Sequence, residues 1–119
     1  MGLIKTLIYT LIGLIMNITY QTEEMREACH DLRVASGLYG KQIAKKLHRK
    51  VALLNAARNL AHLMSFDNNA HWLQGNRHWQ FSIPLAQGYS LLLTPPDEST
   101  RAPQELEAMI VIKVEDYHP

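Results

Sequence analysis

Apolar and polar positions alternate with a period of two in some stretches of this chain and recur every three to four residues in others. Ile18 and Tyr20 stand against Asn17 and Thr19, which predicts a short strand over Asn17–Gln21. Thr22 then offers an N-cap, and Glu23 and Glu24 suit the positive end of a helix dipole. Met25, Cys29 and Leu32, flanked by Ala28 and Ala35, have amphipathic-helix spacing, and Ser36-Gly37 and Gly40 end that helix. A second, longer helix is predicted from Lys41 to Leu63, with Ile43, Leu47, Val51, Leu54, Leu60 and Leu63 as its apolar stripe. Ser65–Asn69 is a loop signal. Trp79, Phe81, Ile83 and Leu85 alternate with Gln80 and Ser82, a strand whose Pro84 requires an edge or a bulge. Gln87-Gly88 turns the chain into a buried strand, Tyr89–Thr94, which Pro95-Pro96 ends. After an acidic connection, the β-branched run Met109–Val114 predicts a last strand, leading into Glu115, Asp116, Tyr117 and His118. The order β-α-α-β-β-β predicts an α+β domain: a small, mostly antiparallel sheet with two helices on one face.

The first 15 residues stand apart. Apart from Lys5 they are apolar or small, and the run is shorter than the roughly 20 residues that cross a bilayer comfortably. No small-x-small cleavage site follows before Asn17. Residues 1–15 read as an appended extension to a working domain at 16–119. A peripheral membrane anchor is the second reading, and a helix packed on its own domain or a neighbour is the third.

Composition narrows the class. The chain has 119 residues, enough for one core, with 47% hydrophobic and 19% charged residues, as in globular proteins. One cysteine, Cys29, excludes an internal disulfide framework and fits a reducing compartment, so the expected location is the cytoplasm. The formal charge of +1 hides an uneven distribution: residues 26–62 hold eight of twelve Lys and Arg, and 97–116 hold six of eleven acids. A local basic face is therefore compatible with a balanced total. By default, however, the Lys41, Lys45, His48 and Arg49 face is a solvated one.

Six histidines invite a metal reading, but no helical pair has H-x-x-x-H spacing and no second thiolate exists. There is no glycine-rich phosphate loop and no G-x-S-x-G elbow. What remains is an acid/base set: His71, His78, Asp116, Tyr117 and His118, with Arg77 as the nearby cation. Such groups suit phosphodiester chemistry, which needs proton transfer near neutral pH and a cation for phosphate charge. RNA brings its own 2′-hydroxyl nucleophile, so no cofactor is required. Trp72 can stack an unpaired base, whereas Trp79 shares its face with Phe81 and Ile83 and is expected in the core. His30, His48 and His62 are expected as solvated helix residues.

His71 with Leu73, Gly75 and Arg77, the strands Gln80–Ile83 and Tyr89–Leu93, the basic section from Lys45, and the closing Glu115-Asp116-Tyr117-His118 together resemble the HigB-type toxins of the RelE/ParE superfamily. The similarity is closest to the plasmid-maintenance killer branch and spans Met16 to His118. It implies a microbial-ribonuclease-like fold and an endoribonuclease that cleaves mRNA, usually in the ribosomal A site. It also implies a helix-turn-helix antitoxin as partner. By this resemblance His71 and His118 transfer protons, Tyr117 orients or stacks on substrate, and Asp116 orients a neighbour. Arg77, His78, Gln74, Ser90 and Trp72 are the substrate-binding candidates. Gln74 stands where the family commonly has lysine, and Ser90 where it commonly has arginine. Both changes remove a cation, which leaves open a catalytically degenerate protein that keeps the antitoxin-binding surface.

Overall fold

A computed structural model describes residues 2–11 and 13–117. Its elements are α1 (Gly2–Leu11), β1 (Asn17–Tyr20), α2 (Glu23–His30), α3 (Leu32–Tyr39), α4 (Lys41–Ala56), α5 (Leu60–Phe66), β2 (His71–Trp72), β3 (Phe81–Pro84), β4 (Tyr89–Thr94) and β5 (Ala108–Asp116). The strands form one open, mixed sheet in the order β1-β5-β4-β3-β2. β1 runs parallel to β5, and every other neighbouring pair is antiparallel. The α+β class and the mostly antiparallel sheet stand. The expected order of elements does not, because both expected helices are divided, α1 precedes β1, and a short β2 is added.

Each division has a local cause. Thr22 caps α2, accepting a hydrogen bond from the Met25 N–H. Asp31 then adopts an extended conformation: its N–H donates to the Glu27 carbonyl, closing α2, while its carboxylate accepts from the Arg33 N–H, opening α3. A residue that closes one helix with its backbone N–H and opens the next with its side chain makes a break that apolar spacing does not reveal. The second break falls at Ala57, whose carbonyl accepts from the Met16 N–H at 2.8 Å. Asn59 caps α5, and the Leu60 N–H goes to Leu106. Leu54, Leu60 and Leu63 are nonetheless fully buried. The apolar stripe was therefore a sound guide to burial while the helix carrying it was not continuous.

The Ala86–Tyr89 turn has positive φ at Gln87 (54°) and Gly88 (82°), the two-residue hairpin geometry that matches strand twist. β3 lies inside the sheet, yet β2 pairs only with Phe81 and Ser82. Pro84 thus stands beyond the reach of β2, and its missing N–H costs no ladder bond. An irregularity in the ladder occurs instead between Leu92 and Leu93.

The helices cover one sheet face. Leu47 and Leu54 pack there with Phe81, Ile83, Leu91, Leu93, Met109 and Val111. Trp79 is a correction: it lies in the turn before β3, half-buried and outside the core cluster, whereas Trp72 packs against that cluster. His48 is another: it is half-buried, and its Nε2 donates to the Ala28 carbonyl at 2.8 Å, tying α4 to α2. Met16 is buried, while α1 before it exposes Ile4, Leu7 and Ile8. Among the described residues no helix is long and apolar enough to cross a membrane.

Candidate functional site

The second sheet face is polar and also buried. Register places Ser82 beside Leu92 and Lys113, and Pro84 beside Ser90 and Glu115. Directly paired residues share a face, so these side chains lie opposite Phe81, Leu91 and Leu93. Ser82, Leu92 and Ser90 are only 2%, 0% and 6% exposed. Leu92 belongs to no part of the helix-side cluster.

The segment following β2 reaches across this face. Leu73 N–H donates to the Gln80 carbonyl, and a 3-10 turn, Gly75–Arg77, swings the chain back over the sheet. The Arg77 guanidinium donates from Nε and Nη2 to Gln80 Oε1 (3.1 and 2.9 Å), and Nη2 also reaches Glu115 Oε2 at 2.9 Å. Its centre lies 6.0 Å from the Tyr117 ring centroid. Lys113 Nζ approaches the other Glu115 oxygen at 3.3 Å. A cation carried by the turn after β2 therefore meets an acid and a phenol on β5 across two intervening strands.

These contacts fix protonation. Hydrogen bonding to Glu115 holds the Arg77 guanidinium more firmly charged. Burial by itself raises the Glu115 pKa, but hydrogen bonds from Tyr117, Arg77 and Lys113 outweigh it and leave the carboxyl below its ordinary range. Burial, then the Glu115 carboxylate, pushes Tyr117 upward. At neutral pH the cluster thus holds two cations, a carboxylate and a protonated phenol.

Other predicted site residues lie elsewhere. His71 is exposed on β2, its Nδ1 donating to the Asn69 carbonyl at 2.7 Å. Three strand steps separate β2 from β5, roughly 14 Å, so His71 does not join the Arg77 cluster. His78 is exposed, with Nδ1 donating to Gly75. Gln74 is exposed beside the 3-10 turn, and Ser90 is buried beneath it. Trp72 is half-buried, edge-on to Phe81 at 5.3 Å, with Arg101 over its face at 5.1 Å. Asp116 pairs with Tyr89. Strand alternation puts it on the face opposite Glu115 and Tyr117. His118 lies outside the described residues. Among those described, no group of His, Cys, Asp and Glu is placed to hold a metal ion.

Sequence reading gave neither Glu115 nor Lys113 a role at the site. The signal was present: 113, 115 and 117 are spaced by two on one strand, so they share a face, whereas the consecutive triplet 116–118 cannot. In comparisons with known proteins, no family model, curated protein or solved structure matches this chain.

Proposed function

We propose that the chain is a HigB-like member of the RelE/ParE toxins, a cytoplasmic, ribosome-dependent mRNA endoribonuclease held in check by a helix-turn-helix antitoxin. One observation carries this reading. Ser90 stands where those toxins commonly have arginine, and its register partner is Glu115, the residue that Arg77 grips at 2.9 Å. The small serine leaves room, and a guanidinium arrives from another element. The cation is relocated rather than lost.

In such a reaction the RNA 2′-oxygen attacks phosphorus as its proton goes to a base, and the 5′-oxygen leaves with a proton from an acid. The products are a 2′,3′-cyclic phosphate and a 5′-hydroxyl. Arg77 uses Nε and Nη2 for Gln80 and Glu115, which leaves the Nη1 hydrogens for a non-bridging phosphate oxygen. Lys113 adds a second positive charge. Tyr117, protonated at neutral pH, turns its one O–H from Glu115 to the leaving or non-bridging oxygen when substrate binds. His118, the next residue in the sequence, supplies an imidazole for proton transfer.

The test is induction of the full chain in bacteria, beside Arg77→Ala, Tyr117→Phe and His118→Ala, with mRNA 5′ ends mapped. Growth arrest with codon-phased cuts that disappear in the variants is the expected result. Normal growth with no new cuts, from folded and expressed protein, would reject the ribonuclease. A second reading, an antitoxin-binding module without activity, is favoured by one feature: the Glu115 carboxylate already engages both Arg77 and Lys113. That outcome of the induction experiment would select it.

A further inference from the structure

Residues 32–66 contain seven lysines and arginines and no aspartate or glutamate. Within this segment Lys41, Lys45 and Arg49 are exposed on α4, with Ala52 and Ala56 continuing the same face. At four-residue spacing the three cations form a ridge, successive heads about 6 Å apart along the axis. Among the described residues no hydrogen bond or ion pair engages their side chains, whereas Lys50, on another side of the helix, is paired with Asp67 at 2.6 Å. α3, which packs along α4, carries no carboxylate to neutralise the ridge.

The placement of these charges runs against helix stability. Lys41 and Lys45 occupy the first two turns of α4, where the helix dipole repels cations. The N-cap is Gly40, at φ 86°, with no side-chain hydrogen bond to satisfy the free N–H groups. Such a local conflict marks positions kept for something other than folding. The start of α4 also touches the hairpin turn between β3 and β4. Gln42 accepts from Gln87 Nε2 at 2.7 Å, and the neighbouring Gly88 carbonyl accepts the Tyr117 N–H at 2.9 Å. The N-terminal end of α4 is thereby tied to the turn beside which the chain leaves β5, on the helix side of the sheet.

We infer that the Lys41–Lys45–Arg49 ridge binds the phosphate backbone of single-stranded RNA, on the flank of the strand whose cleavage is proposed above. The choice of RNA among polyanions rests on that reading; the ridge itself rests on charge and position. The probe is a fluorescein-labelled, fully 2′-O-methylated oligoribonucleotide of about 15 residues, which lacks the nucleophile and so separates binding from cutting. Its affinity for the full chain is measured by anisotropy against salt concentration. Each phosphate contact contributes about −0.7 to the log–log slope for a single strand. The triple variant Lys41→Ala, Lys45→Ala, Arg49→Ala should flatten the slope by about 2, equivalent to about 20-fold less salt-induced weakening between roughly 50 and 200 mM. Lys45→Ala alone should flatten it by about 0.7, and Arg58→Ala, just beyond α4, should leave it unchanged. These surface alanines favour helix, and circular dichroism verifies folding. An unchanged slope in the folded triple variant overturns the ridge, as does failure of the wild-type chain to bind the probe, even if an acidic polypeptide binds instead. The expected ridge effect together with absent mRNA cleavage in cells would retain the ridge and reject the ribonuclease.

Discussion

Arg77 illustrates how much one side chain contributes through position alone. Sequence marks it as a candidate cation, but of its partners, Gln80 three residues away and Glu115 38 residues away, only the fold reveals the second. Under the ribonuclease proposed above, Arg77→Ala is expected to lower RNA cleavage by about 10²–10³-fold, measured on a ribosome-bound message. Arg77→Lys should recover little, because an ammonium cannot span Gln80 and Glu115 while still presenting a free N–H pair. Adding Ser90→Arg to Arg77→Ala should restore activity, since position 90 faces the same Glu115; no recovery would refute relocation of the cation. Glu115 also makes a pH prediction. Its carboxyl is held below the ordinary range by Arg77, Lys113 and Tyr117, so its stabilising effect is full above the unfolded pKa and is lost as pH falls through the folded one. Glu115→Gln should flatten the acid limb of stability against pH in urea titrations. Cys29 behaves as sequence suggested, a small buried hydrophobe: burial pushes its thiol up to about 12. It should resist alkylation at neutral pH until the protein unfolds.

At the scale of elements, periodicity served well for what is buried and poorly for where backbone continues. β4 occupies the predicted Tyr89–Thr94, and β5 extends the predicted Met109–Val114 by a residue at its start and two at its end. Helix boundaries were missed where one side chain outweighs many. Asp31 closes α2 and opens α3, and Ala57 is drawn out of helix by its bond to Met16. Asp31→Ala should lower the midpoint of chemical denaturation. β2 escaped notice because two residues are too few for any period to register. The turn after it carries Arg77, a candidate cation by sequence whose partner Glu115 on β5 only the fold supplies. α4 offers a prediction of the opposite sign. Lys41→Glu should stabilise the protein by about 0.3–1 kcal/mol at low salt, with the gain shrinking as salt rises, while weakening oligonucleotide binding.

For the molecule as a whole, the sheet separates duties. Its helix-facing side carries the apolar core, and Phe81→Ala there should cost about 3–5 kcal/mol. Its other side carries the polar cluster under the Arg77 turn. The parallel neighbour of β1 is β5, so residues 17–20 wait for residues 108–111 before they can pair. During synthesis at about 5–20 residues per second, β5 is missing from its place between β1 and β4 until nearly everything before it has been translated. Neither Glu115 nor Tyr117 exists until that moment. A nascent chain therefore has neither a finished sheet nor the Arg77, Glu115 and Tyr117 cluster until residues 108–117 have been translated.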